Sequence, residues 1–440
     1  MKCPRCGADV TNKERYCGKC GCPNPFFTGG KYNFGEKNGK LSPIVILSIV
    51  LCGVMALSFL IYSYILINRI SLDDVEDFIQ EYRADNLENI FRDQYTTIYG
   101  DDSDKITVMV YMSGEESAVS ADIEQMLAAE TNENVNIVIQ TQAQRFSVEE
   151  DYITKLEDIA LCDMAKPSAL TDFINWATES YEANRYMLIM WEPEGSVSDG
   201  CYHDCNYADS EMSIDGLSRA LADCDVKFDL IGFDRCFIGS LEYGYALSDY
   251  ADYLYASEES NLRGWDYTAF VDAICEDTGI QTKSIAHRML RTLQEDYEDE
   301  SCELESYGGC LFDLRYAKEL YMYFEEFVSY ISTLEYNEVF DIRTNCQEPE
   351  TDNYDMVDAV EFISQFDSEA AQNLSNDIKW AMAEASSSNE NSHGLLLYFP
   401  LKYPSYIDST QTMLCDIGWD VFDGYFDSYA LYLENKSEKN

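Results

Sequence analysis

Histidine is nearly absent from this chain: its 440 residues hold three, His203, His287 and His393. A nucleophilic thiol or hydroxyl usually needs an imidazole beside it, so acyl-transfer chemistry here has very few bases to draw on. Positive charge is scarce as well. There are 30 Lys and Arg against 81 Asp and Glu, a formal net charge of −51. The deficit is uneven: the first 40 residues carry eight bases and three acids, leaving −56 on the rest. A body of that charge repels phosphates and anionic headgroups, so nucleic acid is not an expected partner, whereas basic peptides or cations are attracted to it. What is present is apolar material. Hydrophobic residues make up 46 % and aromatics 13 %, with 33 Tyr, enough for a full core and too many for disorder.

Three short segments precede the main body. Residues 1–24 contain Cys3-x2-Cys6 and Cys17-x2-Cys20, two knuckles that would close a tetrahedral thiolate shell around structural Zn²⁺. So small a zinc ribbon has no core of its own and would take its folding energy from the metal. Residues 25–42 read as a linker. Residues 43–67 hold no charge and, at ~1.5 Å per residue, span about 37 Å as a helix, enough for a ~30 Å hydrocarbon layer. The bases lie before this span and Asp73, Asp74 and Glu76 follow it. That asymmetry predicts a single-pass protein of the cell membrane, with its N-terminus cytoplasmic and its large domain extracellular. Residues 68–100 read as an amphipathic stalk helix and linker.

From 105 to 435 strand-like and helix-like runs alternate. Strands are expected at 106–112, 135–142, 186–191, 228–233 and 253–257, with a hairpin piece at 152–161. Helices are expected at 120–129, 169–181, 215–221, 267–276 and 282–293. A β-like HGLLLYFP is expected to end the domain near Pro400. This order predicts an α/β fold, a mostly parallel sheet with helices on both faces. In such sheets chemistry sits just past the carboxyl ends of the strands. Cys236, in FDLIGFDRCFIGSLE, falls there.

The stretches TVMVYMSG (107–114), TDFINWATESYEANRYMLIMW (171–191), IGFDRCFIGSLEYGYALSDYADYLYASEE (231–259), GWDY (264–267) and HGLLLYFP (393–400) together resemble the clostripain family of cysteine peptidases. The resemblance implies a caspase-like fold, hydrolysis after Arg or Lys, and Cys236 as the nucleophile. It also implies a general-base histidine just past the strand that ends at Trp191. The chain reads Trp191-Glu192-Pro193-Glu194 instead, so Pro193 occupies that place. Proline accepts no proton. Arg235 stands where the family has a small residue, and Arg263 adds positive charge near the expected binding site for a basic side chain. His203, ten residues beyond Pro193, is the candidate substitute base; His287 and His393 read as structural. Cys201/Cys205 and Cys302/Cys310 are candidates for local disulfides or for a metal site with His203. Two readings follow: a pseudopeptidase that binds a peptide or protein ligand, and an active Arg/Lys-specific endopeptidase with a relocated base such as His203.

Overall fold

The computed structural model describes residues 2, 104–112, 116–149, 152–204, 206–207, 210–259, 264–298, 307–346, 355–389, 391–402 and 406–437. The strands are β1 (Ile106–Met112), β2 (Val135–Gln140), β3 (Gln144–Glu149), β4 (Tyr152–Asp158), β5 (Arg185–Glu194), β6 (Tyr202–His203), β7 (Glu211–Met212), β8 (Phe228–Cys236), β9 (Ala251–Ala256), β10 (Gly308–Asp313), β11 (Met356–Asp358), β12 (Met382–Ser387) and β13 (Leu396–Tyr398). The helices are α1 (Glu116–Ala128), α2 (Pro167–Ser180), α3 (Ile214–Ala222), α4 (Leu241–Leu247), α5 (Tyr267–Glu276), α6 (Thr282–Glu298), α7 (Ala317–Ile331), α8 (Tyr336–Asn345), α9 (Ala359–Ser364), α10 (Glu369–Ala381), α11 (Ile407–Ile417) and α12 (Asp423–Ser437).

Nine strands form one sheet in the order β12-β10-β9-β8-β5-β1-β2-β3-β4. The inner five, β9-β8-β5-β1-β2, are parallel, and antiparallel strands extend both ends. β1 is buried along its whole length, as a strand covered on both faces must be. Its alternate residues feed two cores: Met109 and Tyr111 join one cluster, while Ile106, Val108, Val110 and Met112 join the other. The first cluster is closed by α2, α3, α4 and most of the later helices, the second by α1, α5 and α6. Helix α2 shows why its sequence works. Pro167 opens it, where a missing N–H costs nothing, and Leu170, Phe173, Ile174 and Ala177 make one buried stripe.

Several expectations are met closely and others need correction. The five expected parallel strands are there, but the fourth runs on to Cys236, so that residue ends the strand instead of following it. HGLLLYFP joins a separate two-stranded ribbon with β11, and helices α11 and α12 continue beyond it. Cys201 and Cys310 are buried and take part in no disulfide, so the two local disulfides are not formed; Cys201 Sγ instead lies 3.3 Å from Met212 O. The expected membrane localisation is also corrected. Among the described residues no helix is long and apolar enough to cross a membrane. Even the 17-residue α6, at ~1.5 Å per residue, falls short of a ~30 Å layer and carries charge throughout. The ribbon, the apolar span at 43–67 and the stalk lie outside the described residues.

One packing contact decides the middle of the sheet. A Cβ on Gly232 of β8 would meet the Trp265 ring at 2.2 Å, so the indole occupies the space that a side chain would need there. Gly232→Ala is expected to destabilise the protein by about 1–3 kcal/mol through overpacking, measured as a shifted denaturation midpoint with an unchanged denaturant slope.

Candidate active site at the carboxyl edge of the sheet

Strand β1 is followed by β2 on one side and, later, by β5 on the other. The carboxyl ends of β1 and β5 therefore flank a topological switch point. Cys236 ends β8, the next strand over. β5 and β8 run in register to Trp191 and Asp234, then slip, so that Glu194 pairs with Cys236. Three steps on β5 match two on β8, a one-residue bulge that contains Pro193. A residue without an N–H fits such a place, and bulges gather beside active sites.

The backbone turns sharply after Cys236. Phe237 has φ 63° and is buried. The left-handed region costs a residue with a Cβ about 1–2 kcal/mol, so the surroundings must hold it there. They do so through three contacts. Gly239 N donates to Ser257 O at 2.9 Å, Leu396 N donates to Gly239 O at 2.7 Å, and Ser240 caps α4 by accepting from Tyr243 N.

Buried carboxyl groups tie the remaining motifs to this turn. Asp234 accepts from Trp265 N at 2.9 Å and from Tyr267 Oη at 2.8 Å. Gly264 has φ 74°, and a Cβ there would lie 2.9 Å from Asp234 Oδ1; the FDRC and GWDY stretches thus form one unit. Glu242, fully buried in the first turn of α4, accepts from Tyr398 N at 2.8 Å. Glu258, just past β9, accepts from Gly394 N at 2.7 Å and from Ser392 Oγ. Asp358 accepts from His393 N at 2.7 Å and approaches His393 Nδ1 at 3.2 Å.

The three histidines lie apart. His203 is on β6, and its imidazole lies 4.0 Å from Glu211 across the small ribbon. Its neighbours anchor that ribbon elsewhere: Tyr202 Oη donates to Tyr111 O of β1 at 3.2 Å, and Asp204 accepts from Met164 N and from Gln142, beyond β2. The stretch just before His203 stays at the end of β5, where a Cβ on Gly195 would meet Gly200 O at 2.6 Å and Cys201 Cα at 3.2 Å. His287 pairs with Glu384 at 3.4 Å on β12, the far edge of the sheet. His393 is oriented by Asp358, and this bond raises its pKa. Arg263 lies outside the described residues, as do Cys3, Cys6, Cys17 and Cys20; among the described residues no group of His, Cys, Asp and Glu could hold a metal ion.

Comparison with known families follows the same outline. The sequence model of the Clostripain family matches residues 110–412. The chain belongs to the clostripain family. Among solved structures it is similar to an inactive zymogen C11 protease from Parabacteroides distasonis, with 21 % identity and TM-score 0.58, covering 71 % of this chain and 97 % of that one. It is also similar to a secreted C11 cysteine protease from Bacteroides thetaiotaomicron. One structure of that enzyme, in complex with an irreversible peptide inhibitor, shows 17 % identity and TM-score 0.59 over 72 % of this chain and 100 % of that one. Another shows 14 % identity and TM-score 0.59 over 71 % and 99 %. At these identities the likeness is one of fold. No curated protein matches. The clostripain-family domain accounts for the position of Cys236 at the sheet edge. What sequence reading missed are the acceptors: Asp234, Glu242, Glu258 and Asp358 carry no periodic signal, and only their place inside or beside the family stretches marked three of them.

Burial raises the Glu242 pKa from 4.5 to about 7, and its Oε2 has no hydrogen-bond partner among the described residues. A carboxyl raised in the native state contributes stability that is complete below pH 4.5 and is lost as pH climbs through 7. Wild type is therefore expected to lose about 1.4 kcal/mol per pH unit relative to Glu242→Gln between pH 4.5 and 7, about 3 kcal/mol in all. Parallel denaturation series of the two proteins check this.

Proposed function

We propose that this clostripain-family chain is a pseudopeptidase: it binds a peptide or protein ligand, of basic character, without cleaving it. The observation that carries this reading is the β5 bulge. Peptide cleavage takes a proton from the thiol and returns one to the leaving amine. The segment beside Cys236 that would supply the base presents Glu192-Pro193-Glu194, and proline does neither job. General acid–base help contributes typically ~10²–10⁴ in rate, and an unassisted thiol near its ordinary pKa of ~8.5 is only a few per cent thiolate at neutral pH. The ligand preference rests on the charge of −56 beyond residue 40. The family's peptide-binding habit also supports it, as seen in a neighbour solved with a peptide inhibitor.

The second reading is an active endopeptidase with Cys236 as nucleophile and His203 as base; its support is that the stretch leading to His203 runs beside the end of β5, where a Cβ on Gly195 would meet Gly200 O at 2.6 Å and Ile238 at 2.6 Å. A fluorogenic Arg- or Lys-terminated peptide assay separates the two. Wild type is expected to match Cys236→Ala in turnover while still binding uncleaved basic peptide. Turnover in wild type that both Cys236→Ala and His203→Ala abolish would establish the active enzyme instead.

We also propose one structural Zn²⁺ held by Cys3, Cys6, Cys17 and Cys20, on the paired spacing alone. Elemental analysis of the full chain is expected to find one zinc per molecule, lost in a Cys3→Ser/Cys6→Ser double variant. Well under one equivalent in wild type would refute it.

A further inference from the structure

Glu258 stands at the meeting point of three segments. Its own stretch accepts from the turn after Cys236: Gly239 N donates to Ser257 O, and a Cβ on Gly239 would lie 3.1 Å from Glu258 N. Its side chain accepts from Gly394 N and Ser392 Oγ. Two residues beyond Gly394, Leu396 N returns to Gly239 O. The loop that carries Cys236 is thus closed into a ring whose links run through Glu258.

The remaining carboxyl oxygen of Glu258 is buried and has no hydrogen-bond partner among the described residues. Asp358 acts on it from beside the same 392–394 segment and already receives Glu361 N, His393 N and the His393 ring. Two carboxylates in one dry site repel, and the stable arrangement places one proton between them. Glu258 Oε2 then donates to Asp358, which supplies the partner that oxygen lacks. We propose that Glu258 and Asp358 form a positioning pair for Cys236: a proton shared between them closes a latch over the segment 392–396, and its loss at rising pH opens the latch and frees the turn at 237–240.

The surrounding groups agree on the direction. Burial first, and then Asp358, hold Glu258 protonated well above the usual carboxyl range. His393 is raised by its bond to Asp358, against a smaller opposing effect of burial and of Lys379 on α10, with Glu361 on α9 reinforcing the rise. Cys310 of β10 and Cys346 sit in the field of the pair as neutral thiols, both pushed up by burial. Glu259 turns away to accept from Ser387 of β12. Glu258 and His393 therefore both favour closure at low pH and lose it as pH rises. The inference rests on where Cys236 sits and is independent of whether its thiol turns over peptide.

The test is peptide-resolved amide exchange over 237–243 and 392–398, together with mass-spectrometric alkylation of Cys236 by iodoacetamide, on the full chain from pH 5 to 9. Glu258→Gln mimics the protonated side chain at every pH; Glu258→Ala removes the link. Relative to Glu258→Gln at the same pH, wild type is expected to lose protection in both segments by about tenfold per pH unit above the titration of the pair, with Cys236 alkylation following. Glu258→Ala is expected to be unprotected in both segments throughout. If wild type and Glu258→Gln keep the same protection at all pH values, or if Glu258→Ala retains it, the latch does not exist.

Discussion

Buried carboxyl groups accepting backbone N–H bonds hold the carboxyl edge of this sheet together. Loops that leave a sheet edge carry unpaired donors, and an unpaired buried N–H costs about 1–3 kcal/mol. Here Asp234, Glu242, Glu258 and Asp358 meet Trp265, Tyr398, Gly394 and His393 respectively. Each bond joins segments more than 30 residues apart in sequence, so the edge is built from distant pieces fastened at single points. A chain of such high negative charge keeps these particular acids inside because each accepts a main-chain donor, and burial raises the pKa of two of them, Glu242 and Glu258.

The same fastening explains how a bulky residue tolerates a left-handed backbone. Phe237 follows Cys236 at φ 63°, with its neighbours clamped by Ser257 and Leu396. Backbone strain of this kind persists only where the surroundings over-determine it, and it gathers at functional turns. In this protein the strained turn follows directly on Cys236 at the end of β8, and the adjoining β5 carries a one-residue bulge that contains Pro193.

Much of the fold was legible beforehand. The unbroken apolar run of β1, the stripe of α2 and the alternation of strands with helices identify a covered parallel sheet. Apolar periodicity reports burial, and burial is what a central strand experiences. The legible part of the site was the cysteine at the end of β8. Less legible were β10 and β12: β12 is only partly buried, and β10, although fully buried, lies in antiparallel company that the βαβ pattern does not announce. The path of the His203 loop was illegible for a different reason. Ten residues of loop beyond Pro193 permit many paths, and the choice falls to Tyr202 and Asp204, which find Tyr111 on β1, Gln142 beyond β2 and Met164 beyond β4.

The sequence by itself determined the α/β class and the clostripain family, because these follow from local residue type and from order along the chain. Only the tertiary structure decided which acids are buried, that the C-terminal ribbon closes over the cysteine turn, and that the three histidines stand in three different places. Those outcomes depend on contacts between segments far apart in the chain, where a single hydrogen bond to a main-chain N–H selects one packing over the others.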